Sequence, residues 1–297
     1  MHLFTPRRRF GWPHPRPGGG GFTLVELLVV IAIVSVLAAL LLPSLTAAKG
    51  RATAISCLNN QRQLGFACDI YADEFNDRLP YNLGEAQIRQ MEQQNLFLNW
   101  STPIMDWEPT PDNTNQVLLT QGGIGPYTSR TAALYRCPND RAVSDLQSVL
   151  GWNGRARSVS LNAMMGDAGL FSSTGSNTNN PSYRQFFKLT QVPQPAMIFA
   201  FIEEHANSIG DGYFLDRADH WEWYRLPAAY HNGGANLSFA DGHSEGHKWL
   251  EATTRAPIRP GQAYFPISNN NGPDFQWLMD RTSVPGGSSG GGGWTYP

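Results

Sequence analysis

Residues 22–42, FTLVELLVVIAIVSVLAALLL, are 21 consecutive positions at which only Thr23, Glu26 and Ser35 carry polar side chains. A helix advances about 1.5 Å per residue, so the run covers roughly 31 Å, the thickness of a bilayer's hydrocarbon core. An ordinary secretory signal has an apolar stretch of only about 7–15 residues. The run therefore reads as a membrane span. Arg7, Arg8, Arg9 and Arg16 precede it with no acidic residue among them. Basic flanks stay on the cytoplasmic side, so the expected topology is a single pass through the inner membrane with the body outside the cytoplasm.

Glu26 is out of place in such a helix, because an ionisable group costs about 2.5–3.5 kcal/mol at the bilayer centre and less near an end. Its carboxylate either reaches back to the headgroups or meets a partner. The preceding residues bear on that choice: Gly18-Gly19-Gly20-Gly21 leads into Phe22-Thr23-Leu24-Val25-Glu26. GFTLVE, at the junction of a basic leader and a long apolar run, resembles the type IV prepilin family, whose cleavage motif is a glycine followed by Phe-Thr-Leu-x-Glu.

The resemblance implies cleavage by a prepilin peptidase after Gly21, N-methylation of Phe22, and pairing of Glu26 with the terminal amine of a neighbouring subunit. It implies as further partners other pilin or pseudopilin subunits in a homo-oligomeric fibre, an inner-membrane assembly platform, and membrane lipid. A fibre of the periplasm or cell surface would be the destination. The pairing has a physical logic, since a carboxylate and an ammonium stranded in lipid both lack partners until subunits dock. Pro43 has no N–H and is expected to kink the helix just past the membrane.

The 297 residues include 41% apolar positions, enough for a buried core. The net charge is −2. Because four arginines sit in the leader, the rest carries 18 basic against 24 acidic residues, which argues against nucleic-acid binding by bulk electrostatics. Three cysteines, Cys57, Cys68 and Cys137, are too few for a disulfide scaffold and show no C-x-x-C spacing. One disulfide fits the count, with Cys57 and Cys137 as candidates, although sequence does not fix the pairing. The odd thiol then stays free or pairs between chains.

Beyond Pro43 the chain stays rich in helix formers, and Leu64, Cys68 and Tyr71 recur at spacings of four and three. The helix is expected to reach about Tyr71 and to lay an amphipathic face on the body. Strands are expected over 158–163, 197–203, 236–240 and 244–249, the last two joined by the hairpin signal Asp241-Gly242. Residues 172–182 read as a polar loop, and 81–136 carry no clear period. The resulting division is a leader 1–21, a transmembrane helix 22–42, its continuation 43–72, an extracytoplasmic domain 73–284 and a Gly/Ser-rich tail 285–297. The fold class is α+β: a pilin-like lollipop, one long N-terminal helix packed on an antiparallel sheet.

A second resemblance starts at His231, which is followed after nine residues by Asp241-Gly242. The spacing is similar to that of bacterial prepilin-type proteins with an H-X9-DG domain, as are CLNNQRQLG at 57–65, YRCPND at 135–140 and the stretch 195–203. One reading makes His231, Asp241 and His243, with Glu203, Glu204 or His247, a divalent-metal site for Zn, Mn or Ca. The other, favoured here, makes Asp241-Gly242 a turn and gives His231 a structural hydrogen bond, with no cofactor required.

No G-x-S-x-G, H-E-x-x-H or P-loop pattern is present, and Gly122-Gly123-Ile124-Gly125 lacks the lysine that a phosphate loop needs. Glu203 and Glu204 are adjacent on an expected strand, so their side chains point to opposite faces and do not converge. The aromatic run Trp221-Glu222-Trp223-Tyr224 reads as strand packing more readily than as a stacking surface. The expectation is a structural, non-enzymatic subunit of a type IV pilus or type II secretion pseudopilus. The alternative is a membrane-anchored binding protein or metal-dependent enzyme that uses the helix only as a tether.

Overall fold

The computed structural model describes residues 22–268 and 272–286. The leader, with the cleavage position at Gly21, and the tail from residue 287 lie outside the described residues. The chain divides into two units, Met1–Ala48 and Lys49–Pro297. Its helices are Leu24–Glu74 (α1), Glu85–Gln93 (α2), Gln116–Gln121 (α3), Asp145–Val149 (α4) and Pro273–Met279 (α5). Its strands are Val159–Asn162 (β1), Ser172–Ser173 (β2), Ser176–Asn177 (β3), Phe199–Glu203 (β4), Tyr213–Phe214 (β5), Glu222–Trp223 (β6), Gly234–Phe239 (β7), Ser244–Lys248 (β8) and Ile267–Ser268 (β9).

In the first unit, α1 exposes every residue from Phe22 to Ala48 to its surroundings. A stretch with a mean hydropathy of 3.0 and no protein cover is long and apolar enough to cross a membrane. The helix continues through Pro43. It ends where Asn76 and Asp77 turn left-handed, with φ of 54° and 68°, and the Asp77 N–H returns to the Ala72 carbonyl at 2.7 Å. Asn and Asp tolerate that conformation better than other non-glycine residues, so the sequence stops α1 at Glu74, three residues past the expected Tyr71.

The second unit is built on a five-stranded sheet in the order β5-β1-β4-β7-β8. Neighbours are antiparallel except β1 and β5, which are parallel. That parallel pair departs from the all-antiparallel expectation, and it forms because β5 reaches the sheet edge only after a crossover beyond β4. The expected strands at 158–163, 197–203, 236–240 and 244–249 correspond to β1, β4, β7 and β8. The polar stretch 172–182 holds the small hairpin of β2 and β3.

A register shift between Phe199 and Ile202 distributes β4 over two cores. Phe201 and Leu161 meet Leu64, Ala67 and Cys68 of α1 together with Trp100, all buried. Phe199 and Ile202 meet Leu237, Trp223, Phe275 and Leu278 on the opposite face. Trp223 is thus core, as strand packing requires, whereas Trp221 stays partly exposed. Along β7 the alternation is regular: Ala235, Leu237 and Phe239 face the second core, while the Asn236 amide donates to the Ala54 carbonyl of α1 at 3.2 Å. A Cβ at Gly65 would lie 3.7 Å from the Ser238 Cβ, so small residues let helix and strand approach closely.

Candidate functional site

Two places carry the residues singled out in the sequence. The first is the start of α1. Thr23 precedes the first helical residue, and its Oγ1 accepts the Glu26 N–H at 3.2 Å. The Glu26 carboxylate in return accepts the Thr23 N–H at 2.9 Å and its hydroxyl at 2.7 Å. This reciprocal capping box satisfies otherwise orphaned donors of the helix end. It was legible as T-x-x-E ahead of an apolar run, a second use for Glu26 that reading it only as a charge in lipid passed over. Phe22 lies just outside the cap and is exposed.

The second place lies inside the Lys49–Pro297 unit, where four segments converge. Cys57 is the first buried residue of α1. Cys137 follows the short turn at Tyr135, Glu203 ends β4, and His231 opens the tight turn His231-Asn232-Gly233-Gly234, in which Asn232 and Gly233 have φ of 54° and 85°. Asn-Gly is the pair that tolerates two successive positive φ values, so the sequence itself holds His231 at the mouth of β7.

The sulfur atoms of Cys57 and Cys137 are 3.0 Å apart, both as free thiols. His231 Nε2 lies 3.5 Å from the Cys137 sulfur and 3.0 Å from Glu203 Oε1. One potential ligand atom from each of the four residues falls within 4.8 Å of every other. Glu203 is oriented from behind, its Oε2 accepting the Asn236 N–H at 2.7 Å. The Cys137 N–H donates to Ser158 Oγ at 2.7 Å.

Burial opposes a charged imidazole, yet hydrogen bonds to Cys137 and Glu203, with the charge of Glu203, outweigh it and raise His231 to about 10. The hydrogen bond from Cys57, followed by burial, holds the Cys137 thiol far above its ordinary range. Without a metal ion His231 is therefore held as an imidazolium, and Cys137 is held as a thiol.

The structure does not bring His231 together with Asp241 and His243, which the metal reading of the motif requires. Those two residues lie past the far end of β7, separated from His231 by roughly 20 Å of strand. They pair with each other: the Asp241 carboxylate accepts the His243 N–H at 3.1 Å and bonds its ring, while that ring stacks on Phe239. Gly242 alone of the Asp-Gly pair needs positive φ, at 84°, and it lies against Phe66 and Asp69 of α1. Glu204 faces away from Glu203 and accepts hydrogen bonds from Ser160 and Ser208. His247 stacks on Trp277. Neither joins His231. The motif thus has two ends with separate roles, His231 in the buried cluster and Asp241-Gly242 in a turn docked on α1.

The family described as protein of unknown function (DUF1559) matches residues 46–199, more than half the chain. The chain belongs to this family. In this DUF1559 protein the prokaryotic N-terminal methylation motif matches residues 19–42. Over 32 residues it is 66% identical to the type IV wide pilus major component PilA4 of Thermus thermophilus. That match covers 11% of the chain and 24% of the relative. No solved structure matches. The methylation motif and the apolar helix at the N-terminus are consistent with anchoring in a membrane.

Proposed function

We propose that the chain is a pilin or pseudopilin subunit, made as a membrane precursor, cut after Gly21 by a prepilin peptidase, methylated at Phe22 and added to a fibre. The observation that carries this reading is the coincidence of the methylation motif at 19–42 with a helix that exposes an apolar surface along its whole first unit. Such a surface needs lipid before assembly and neighbouring helices after it, so the apolar area is a reason to exchange one for the other. Glu26 supplies direction. Its carboxylate caps its own helix, and its remaining acceptor positions are free to take the methylated amine of the next subunit.

The body would lie outside the inner membrane until an assembly platform extracts the subunit, and its role would be structural and non-enzymatic. Likeness to a pilus component over the N-terminal segment supports this reading. The experiment is replacement of Glu26 by Ala, with the subunit followed by immunoblot in membranes and sheared fibres. The expected result is a precursor that is processed and stays in the membrane. Wild-type amounts of the variant in fibres would remove the assembly role. An unchanged ligand-binding activity of the body, together with no fibre at all in the wild type, would favour the tether alternative.

A further inference from the structure

We propose that Cys57, Cys137, Glu203 and His231 hold one zinc ion that fastens α1 to the sheet. The four residues are separated by 80, 66 and 28 positions in sequence order, yet their ligand atoms converge within 4.8 Å. Cys57, Cys137 and Glu203 are each 2% exposed or less. Two sulfurs, one imidazole nitrogen and one carboxylate oxygen make a tetrahedral donor set. Sulfur directs the set to zinc, since calcium, magnesium and manganese favour oxygen.

Bonds of about 2.0–2.3 Å at tetrahedral angles place neighbouring ligand atoms roughly 3.3–3.8 Å apart. The distances of 3.0 and 3.5 Å in the cluster need only small side-chain movements to meet that spacing. The Asn236 N–H already holds one oxygen of Glu203 and leaves the other aimed at His231, the kind of outer support that ligating carboxylates receive. On binding, both thiols and the His231 imidazolium release one proton each to solvent, and His231 ligates through its deprotonated Nε2. Two thiolates and one carboxylate then face a divalent cation.

A disulfide between Cys57 and Cys137 would use only two members of the cluster and leave the convergence of Glu203 and His231 on the same point without a purpose. The site also has a mechanical rationale. Cys57 is the first buried residue along α1, and below it the helix packs through small side chains such as Gly65, Ala67 and Ala72, which bury little area each. A metal bond at Cys57 fixes the helix to β4 and to the turn of His231 at the place where apolar packing begins.

The test uses the full chain in detergent, purified without chelator and analysed for metals. About one zinc per chain is expected, with Cys57→Ser and Cys137→Ser each reducing it to less than about a tenth, and Cys68→Ser and Asp241→Asn leaving it unchanged. To separate loss of the metal from misfolding of the serine variants, the wild type is also treated with a mercurial thiol reagent while released zinc is read with a colorimetric chelator. One equivalent should be released. Cobalt exchange should give a sulfur-to-cobalt charge-transfer band. A zinc-free chain whose Cys57 and Cys137 peptides are disulfide-linked would overturn the proposal. So would a chain that keeps both thiols free and takes up no metal from added zinc chloride.

Discussion

The Glu26 carboxylate accepts the backbone N–H of Thr23 at 2.9 Å, and Thr23 Oγ1 accepts the backbone N–H of Glu26 at 3.2 Å, so one acidic residue caps α1 and, in the proposed fibre, also carries the charge that meets a neighbour. The two roles separate by substitution. Glu26→Gln keeps an oxygen that can accept from Thr23 but removes the charge. It should insert into membranes and retain wild-type helix content by circular dichroism, yet be depleted from sheared fibres. Thr23→Ala removes part of the cap, a cost of about 1 kcal/mol, and should assemble at reduced but measurable yield. A Gln variant found in fibres at wild-type yield would show that the cap is the whole role of Glu26.

Gly242 has φ of 84°, and a Cβ there would approach the Phe66 ring to 3.2 Å and the Asp69 carboxylate to 3.4 Å. Gly242→Ala should therefore lower stability by about 1–3 kcal/mol through backbone strain, with the contact to α1 adding to it. Chemical unfolding of the full chain in detergent reads this as a lower denaturant midpoint at unchanged slope. An unshifted midpoint would mean that the turn is not held against the helix.

Asp69 sits on α1 beside this turn, and burial, with the charges of Asp73 and Asp241, raises its carboxyl to about 6. Asp241 is itself held by His243, so the groups facing Asp69 are two carboxylates and one imidazole already bonded to one of them. The folded value lies above the unfolded value near 3.8, so the native state binds the proton more tightly. The associated stability is complete below about pH 4 and is lost as pH rises towards 6. Asp69→Asn should match wild type at low pH and exceed it in unfolding midpoint above pH 6. A constant difference across the range would contradict the shift.

Arg157 is fully buried, and its guanidinium donates to the carbonyls of Val159, Pro103 and Gly210 and to Ser160 Oγ. Burial lowers its pKa to about 10, which leaves it charged at neutral pH. Arg157→Met strands several acceptors in a dry core and should cost roughly 3 kcal/mol or more. A loss below about 1 kcal/mol would mean that water replaces the guanidinium.

The sequence made some of this legible and hid the rest for identifiable reasons. The span at 22–42, the strands β1, β4, β7 and β8, and the turn at Asp241-Gly242 each follow from local periodicity or turn chemistry. The opposed directions of Glu203 and Glu204 followed from strand geometry alone. The convergence of Cys57, Cys137, Glu203 and His231 did not, because it joins four distant segments and no short spacing announces it. The sequence offers Cys57 with Cys137 as a disulfide and Glu203 only as one optional member of a grouping around His231, and the packing of α1 against β4 brings all four together. Asp241 and His243 looked close to His231 in sequence, but an extended strand carries them away. The turn at Asn232-Gly233 that aims His231 inward was readable as a hairpin signal, and the capping box at Thr23 as T-x-x-E.

The most direct test of the fibre-subunit account is the intact mass and terminal sequence of the mature chain isolated from cells. The account predicts a chain beginning at Phe22 with one added methyl group on its amine. A chain that retains its leader, or one cut among the alanines that follow Leu37, would contradict it.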